Sequence, residues 1–332
     1  EIVSSLKLER QYQALGLLAL WHYRESGPDY ISAAIHLAGG IRVGTHWSCA
    51  DSPNTGNMRT PHVYFLWGSH DAKICVESGS VSQQLIIAGC AISEMNLGTF
   101  PNDRTVAKST SIRDKGAETV LVLFDNSSRV TNFYKFFLQW MLDDSRLGIL
   151  IKPKKSDLSV KYSDLDDLFV SASQTGRMHI LEPSIWPGNV AKISDFCVGL
   201  GTMSAVAVSA LAGARTIYLD YARLNHNPVT KPYSTLESLG PDRCVFYDHE
   251  SLQTSVSHYL DDPLSNPHLG DATPVLDQFD PFRDGKARQR IGEYVGCYVE
   301  NIDNGKSREH SLTCASMNYS EKWGEDKVVL GL

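Results

Sequence analysis

Residues 191–220, AKISDFCVGLGTMSAVAVSALAGARTIYLD, constrain the fold more than any other part of the chain. A short apolar run, Ile193 to Val198, leads into the turn Gly199-Leu200-Gly201-Thr202-Met203-Ser204. A helix of Ala, Val and Ser follows from Ser204 to Ala212 and stops at Gly213; a second apolar run, Thr216 to Leu219, ends on Asp220. Strand, turn, helix and strand within about thirty residues make one βαβ unit. Its small side chains let the helix lie close to a sheet. The turn also has a chemical use. Glycines let backbone approach a ligand, a helix N-terminus offers unpaired N–H groups and partial positive charge, and Thr202 and Ser204 add hydroxyls. That combination suits phosphate. The spacing is neither G-x-G-x-x-G nor the P-loop pattern, so an ordinary α/β turn, with small residues for packing, stands beside the phosphate reading.

The same alternation runs along the rest of the chain. Apolar spacing predicts helices over 5–25 and 29–38, the second stopped by Gly39-Gly40. Strands are expected at Ile41 to Val43, His62 to Trp67 and Gln84 to Ala88, with a helix over 71–79. Residues 95–117 are polar and rich in turn formers and read as a linker. Beyond it, strands are expected at 118–124, 147–151, 179–181 and 243–247, with helices over 131–144, 164–172 and 249–260. Strands alternating with helices give an α/β chain with two Rossmann-like domains, each on a mostly parallel sheet. The expected division is an N-terminal domain over 1–105, a C-terminal domain over 117–275, and a helical tail over 276–332 that packs back across the domains.

Composition narrows the class. The 332 residues suffice for two α/β domains. A net charge of −7 leaves no general basic surface for phosphate neutralisation, so no nucleic-acid partner is expected. The seven cysteines are odd in number and widely spaced, with no C-x-x-C pair. That pattern reads as reduced core thiols in a cytoplasmic protein, with neither a zinc site nor a disulfide framework. No apolar run is long enough for a membrane span. The chain opens without Met in charged, helical sequence, which reads as a fragment with an incomplete N-terminal domain.

Chemically able residues gather just past strand ends, where open α/β sheets bind ligands. In the second half these are Asp125-Asn126-Ser127-Ser128, Lys152-Pro153-Lys154, Gly201 to Ser204, and Asp220. Lys152 or Lys154 would offset phosphate charge. Polar loops of no function are the other reading. In the first half the candidates are His46, Asp51, His70, Asp71 and Glu94. A histidine is the usual general base because its ordinary pKa lies near neutrality; a structural role is the alternative for each. His46, His62 and His70 as a metal set is a weaker reading, because their spacing fits no short metal motif.

Three passages resemble GT-B glycosyltransferases of bacterial surface-polysaccharide assembly. Val63-Tyr64-Phe65-Leu66-Trp67-Gly68, followed by Gln84 to Gly89, is similar to the closing strands of their N-terminal domain. Ile149-Leu150-Ile151-Lys152-Pro153-Lys154 resembles their "IKPHP" strand end, and Ile193 to Gly213 their donor site. Asp280-Pro281-Phe282-Arg283-Asp284-Gly285-Lys286-Ala287 is similar to a tail of such proteins. The resemblance spans residues 40–290 in element order. It implies metal-independent transfer of a sugar from a CMP- or UDP-linked donor, with no other cofactor, to an oligosaccharide or lipid-linked acceptor. Lys152, Lys154, Gly201, Thr202, Ser204 and Asp220 would hold the donor, and His46, Asp51 or His70 would be base or nucleophile. The family histidine after Lys-Pro is Lys154 here, and the acid that would hold the donor ribose is Val208. Those departures favour a CMP-linked donor, as in Kdo transferases of capsule and lipopolysaccharide. The implied location is the cytoplasm, with peripheral association at the cytoplasmic face of the inner membrane. A non-hydrolysing sugar-nucleotide epimerase and a catalytically inactive binding module are the competing readings.

Overall fold

The computed structural model describes residues 20–23, 40–46, 48–50, 52–92, 101, 103–126, 129–154, 158–201, 203–221, 228 and 230–330. The chain forms two compact units, residues 1–94 with 277–332, and residues 95–276. In the first, strands β1 (Leu20–Tyr23), β2 (Ile41–Thr45), β3 (Val63–Leu66) and β4 (Gln84–Ile87) lie parallel in that order. Side chains alternate between the faces of this sheet. Val43, Phe65 and Ile86 enter one core cluster, and Tyr64, Leu66, Leu85 and Ile87 enter another. The helix Ser69–Glu77 follows β3 and packs Ala72 and Cys75 into the second cluster.

One expected helix is corrected here. Residues 20–23 form a strand, in register from Leu20 opposite Ile41 to Tyr23 opposite Gly44. Leu-Trp-His-Tyr is rich in the large rings that favour a pleated surface, and pairing with β2 overrides the helical spacing of the leucines before it. The remainder of the helix expected over 5–25, and that expected over 29–38, lie outside the described residues.

The second unit holds six parallel strands: β5 (Thr119–Phe124), β6 (Leu147–Lys152), β7 (Met178–Ile180), β8 (Phe196–Leu200), β9 (Arg215–Leu219) and β10 (Val245–Phe246). Their spatial order is β10-β9-β8-β5-β6-β7. The winding therefore reverses between β5 and β8, which makes that gap the topological switch point where doubly wound sheets bind ligands. Strands β5, β6 and β8 are buried along their whole length, which is why they read as continuous apolar runs. On one face Leu121, Leu123, Ile149 and Ile151 pack against Phe133, Phe137, Leu138 and Met141 of the helix Thr131–Asp143.

The expected linker is also corrected. It contains a helix, Asp103–Asp114, that belongs to the second unit. Its buried residues are Thr105, Ser109 and Ile112, so two hydroxyls hide most of the apolar stripe by which a helix is recognised. Ile112 packs so tightly on β6 that a Cβ at Gly148 would lie 2.1 Å from its Cγ2.

The tail belongs to the first unit. Helices Ala287–Asp303 and Arg308–Trp323 pack Tyr294, Tyr298, Leu312 and Tyr319 onto its sheet, and β11 (Val328–Leu330) pairs antiparallel with β4. Each such buried aromatic stabilises the fold by about 2 kcal/mol through apolar burial. The phrase around Asp280 is a clasp. Its carboxylate accepts from the backbone N–H groups of Cys90, Phe282 and Arg283. Arg290, 1% exposed, donates to Asp284 and to the Ala88 carbonyl and stacks on Phe282 at 3.6 Å. Among the described residues no helix is long and apolar enough to cross a membrane.

Candidate functional site

The carboxyl edge of the second sheet carries most of the predicted donor residues. Strand β8 ends at Leu200, and Gly201 turns the chain with φ of +58°, a conformation that suits glycine. The helix Ser204–Leu211 begins directly after Met203. It approaches β8 so closely that a Cβ at Gly199 would lie 2.4 Å from Val206 Cγ2. Ser204 is thus the first residue of a helix whose N-terminal N–H groups face the carboxyl edge. Thr202 lies outside the described residues. Asp220 follows β9 and is 2% exposed.

Across the switch point lie Asp125 and Lys152. The Asp125 N–H donates to the Lys152 carbonyl at 3.1 Å, which keeps the ends of β5 and β6 level. Lys152 is 8% exposed, and its ammonium donates to the carbonyls of Pro153 and Pro183 at 2.8 and 3.0 Å. Burial lowers its pKa to about 8, against an opposing pull from Asp125. Lys154 is exposed. Lys152 ends β6, Ser204 comes four residues after the end of β8, and β5 alone lies between those two strands.

Asp125 holds a network that sequence reading missed. Its Oδ1 accepts from Lys161 Nζ at 2.8 Å, Tyr162 OH at 3.0 Å and Tyr134 OH at 3.3 Å. Lys161 also donates to the Asn126 carbonyl. Burial, with the Asp125 charge beside them, raises the pKa of both tyrosines. Tyr134 sits in an aromatic run, and Tyr162 lies 37 residues beyond Asp125, so nothing local marks either as its partner.

In the first unit, the polar residues after β2 and β3 converge on one loop. His46 Nδ1–H donates to the Ser48 carbonyl at 2.9 Å, and its Nε2 accepts from the Trp67 N–H at 2.8 Å. Both ring nitrogens are therefore engaged, and the tautomer is fixed. The ring is 5% exposed and lies against Trp67 and Tyr64. Burial lowers its pKa; the Asp71 carboxylate, 3.8 Å from Nε2, opposes that. His70 Nε2–H donates to the Ala50 carbonyl, and Asp71 Oδ1 accepts from the Ala50 N–H, each at 2.9 Å. Three side chains thus hold the backbone of residues 48–50. Asp51 and Glu94 lie outside the described residues. His62 Nδ1 accepts from the Arg42 N–H. Among the described residues no group of three or more His, Cys, Asp or Glu side chains is placed to hold a metal ion.

No family profile and no curated protein sequence matches the chain. Solved structures match in fold. A UDP-N-acetylglucosamine 2-epimerase superposes with a TM-score of 0.57 at 13% identity, covering 90% of this chain and 77% of that one. The wall teichoic acid polymerase TagF, solved with CDPG, gives 0.55 at 12% identity, covering 88% and 75%. Anabaena HepE in complex with UDP and glucose gives 0.53 at 9% identity, covering 89% and 80%. Identities this low establish shared architecture and leave the reaction open. The chain has the GT-B-type α/β architecture, built from two mostly parallel sheets.

Proposed function

We propose that this chain is a GT-B glycosyltransferase that moves a sugar from a nucleotide-activated donor to a glycan or lipid-linked acceptor in surface-polysaccharide synthesis. The observation that carries the reading is the winding reversal between β5 and β8, with a cation at one side and a helix N-terminus at the other. Lys152, Lys154, Gly201, Thr202 and Ser204 hold the donor phosphates, with Gly201, whose own N–H donates to the Leu219 carbonyl, shaping the turn. Asp220 borders the same edge. As a leaving group departs it gains negative charge, and a positioned ammonium and a helix N-terminus stabilise that charge without a metal. The nucleotide is CMP- or UDP-linked, and the protein works in the cytoplasm, at the face of the membrane where the acceptor is lipid-linked. In the first unit His46, Asp51 and His70 are the groups to test as nucleophile or base; the loop bonds both nitrogens of His46 and Nε2 of His70.

Calorimetry with CMP, CDP and UDP tests the seat. Binding of one in the micromolar range supports it, and failure of all three at millimolar concentration overturns it. Incubating nucleotide-sugars with and without a saccharide acceptor then tests the reaction. Nucleotide release that requires acceptor is the expected result. A new sugar epimer from donor alone would assign the chain to the epimerases instead.

A further inference from the structure

We infer that Asp125 is a hydroxyl acceptor of the proposed donor site, binding the ribose of the nucleotide or the sugar it carries. This rests on the nucleotide-sugar reading above and gives Asp125, one of the polar residues past a strand end, a definite role in that site. The carboxylate is 5% exposed and its two oxygens differ sharply. Oδ1 takes all three donors, Lys161, Tyr162 and Tyr134. Among the described residues Oδ2 has no hydrogen bond, and it is not among the unpartnered atoms sealed from solvent, as Asp71 Oδ2 is. A carboxylate locked through one oxygen offers the other at a fixed position.

That position is the carboxyl end of β5, at the switch point, beside Lys152 on one strand and the Gly201–Ser204 turn on the other. The neighbouring charges choose the ligand chemistry. Lys161 and Lys152 stand near the carboxylate and work against a metal cation. A phosphate oxygen would have to face a carboxylate oxygen directly, both of them acceptors. A neutral hydroxyl donates to the carboxylate and meets neither obstacle. Ribose and hexose are both joined covalently to the phosphates expected at Ser204 and Lys152, so their hydroxyls lie within reach of the adjacent strand end. The acid that would hold a ribose in the family resemblance is replaced by Val208 on the neighbouring helix. Asp125 supplies a carboxylate from the other side of the crevice.

The test compares ribonucleotides with deoxy forms on the intact chain. Calorimetry is run with CMP, CDP and UDP, each beside its 2′-deoxy and 3′-deoxy form, and with UDP-glucose beside UDP. A hydrogen bond to a charged group corresponds to about a ten- to hundredfold change in affinity. Ribose as the source predicts that loss in a deoxy form. The carried sugar as the source predicts that UDP-glucose binds more tightly than UDP by a similar factor. Either preference should fall below about threefold in Asp125→Asn, and by a smaller step in Tyr162→Phe, which removes one of the donors fixing Oδ1. The wild-type comparison needs no variant to fold. Nucleotide binding with no preference for any hydroxyl, or a preference unchanged in a folded Asp125→Asn protein, overturns the role of Asp125 and leaves the donor seat standing. Absence of all nucleotide binding overturns both.

Discussion

The two sheets end in the same kind of sequence and use it differently. At the carboxyl edge of the first, His46, His70 and Asp71 spend their hydrogen bonds on the backbone of residues 48–50 and on Trp67. At the edge of the second, Asp125 Oδ2 has no hydrogen bond among the described residues and, unlike the equally unpartnered Asp71 Oδ2, is not sealed from solvent, and a helix begins at Ser204 with its N–H groups turned to that edge. Polar residues past a strand end therefore carry no fixed meaning. What decides is whether their hydrogen bonds close within the loop or stop short of it.

His46→Ala should break this contrast most visibly if the contrast is wrong. The substitution strips the acceptor from the buried Trp67 N–H and the donor from the Ser48 carbonyl, and leaves a space beside two aromatic rings. Together these should cost about 2–4 kcal/mol, read as a lower urea midpoint. A variant that keeps wild-type stability yet loses all turnover would make His46 a reacting group and the two edges alike.

Lys152→Met probes the second edge, where the expected cost is in binding. A buried ammonium held at about 8 is disfavoured in the fold, so an apolar side chain of similar length should leave unfolding at neutral pH unchanged or more costly. Losing its contact to phosphate should weaken CDP by about ten- to thirtyfold. Equal CDP affinity in the two proteins would confine Lys152 to tying Pro153 and Pro183 together. The same lysine gives a pH signature. Its cationic form is half present at about pH 8 and is lost above it, whereas a bound phosphate would hold the proton. CDP affinity should be flat below pH 8 and then decline, by up to about tenfold per unit, and Lys152→Met should abolish the decline.

Much of the second unit was legible because β5, β6 and β8 are almost wholly apolar and a small-residue helix follows β8, though the strand expected over 193–198 runs from Phe196 to Leu200 and takes in Gly199 and Leu200 of the expected turn. Register and strand order were not, because they depend on which strands meet in space. The helix Asp103–Asp114 escaped because Thr105 and Ser109 line its buried face. The strand at 20–23 escaped because its partner lies beyond a long intervening segment. At the site, Lys152, Gly201 and Ser204 stood in the sequence beside recognisable strand ends. Asp125 was visible as a residue and invisible as a hub, since its partners are 9, 36 and 37 residues away. His46 and His70 looked alike as bases because sequence shows neither the Ser48 nor the Ala50 carbonyl that each one meets.

The smallest effect separates the two edges by sign. His46 is buried and neutral, with its pKa held below the ordinary 6.5 by loss of hydration. In the unfolded chain the same ring takes a proton as pH falls through about 6.5. The unfolded state then binds more protons than the folded one, so stability is complete above that pH and declines below it. Lys152 has a lowered pKa too, but its folded state releases a proton from about pH 8 while the unfolded chain holds one to about 10.4. Its burial penalty therefore lessens across that alkaline interval, and stability gains as pH rises through it. Urea unfolding at pH 5, 7.5 and 9.5 should accordingly show an acid loss that disappears in His46→Gln and an alkaline gain that disappears in Lys152→Met. An acid loss that persists undiminished in His46→Gln would mean that some other group, and not the clamp on residues 48–50, governs the first sheet's response to acid.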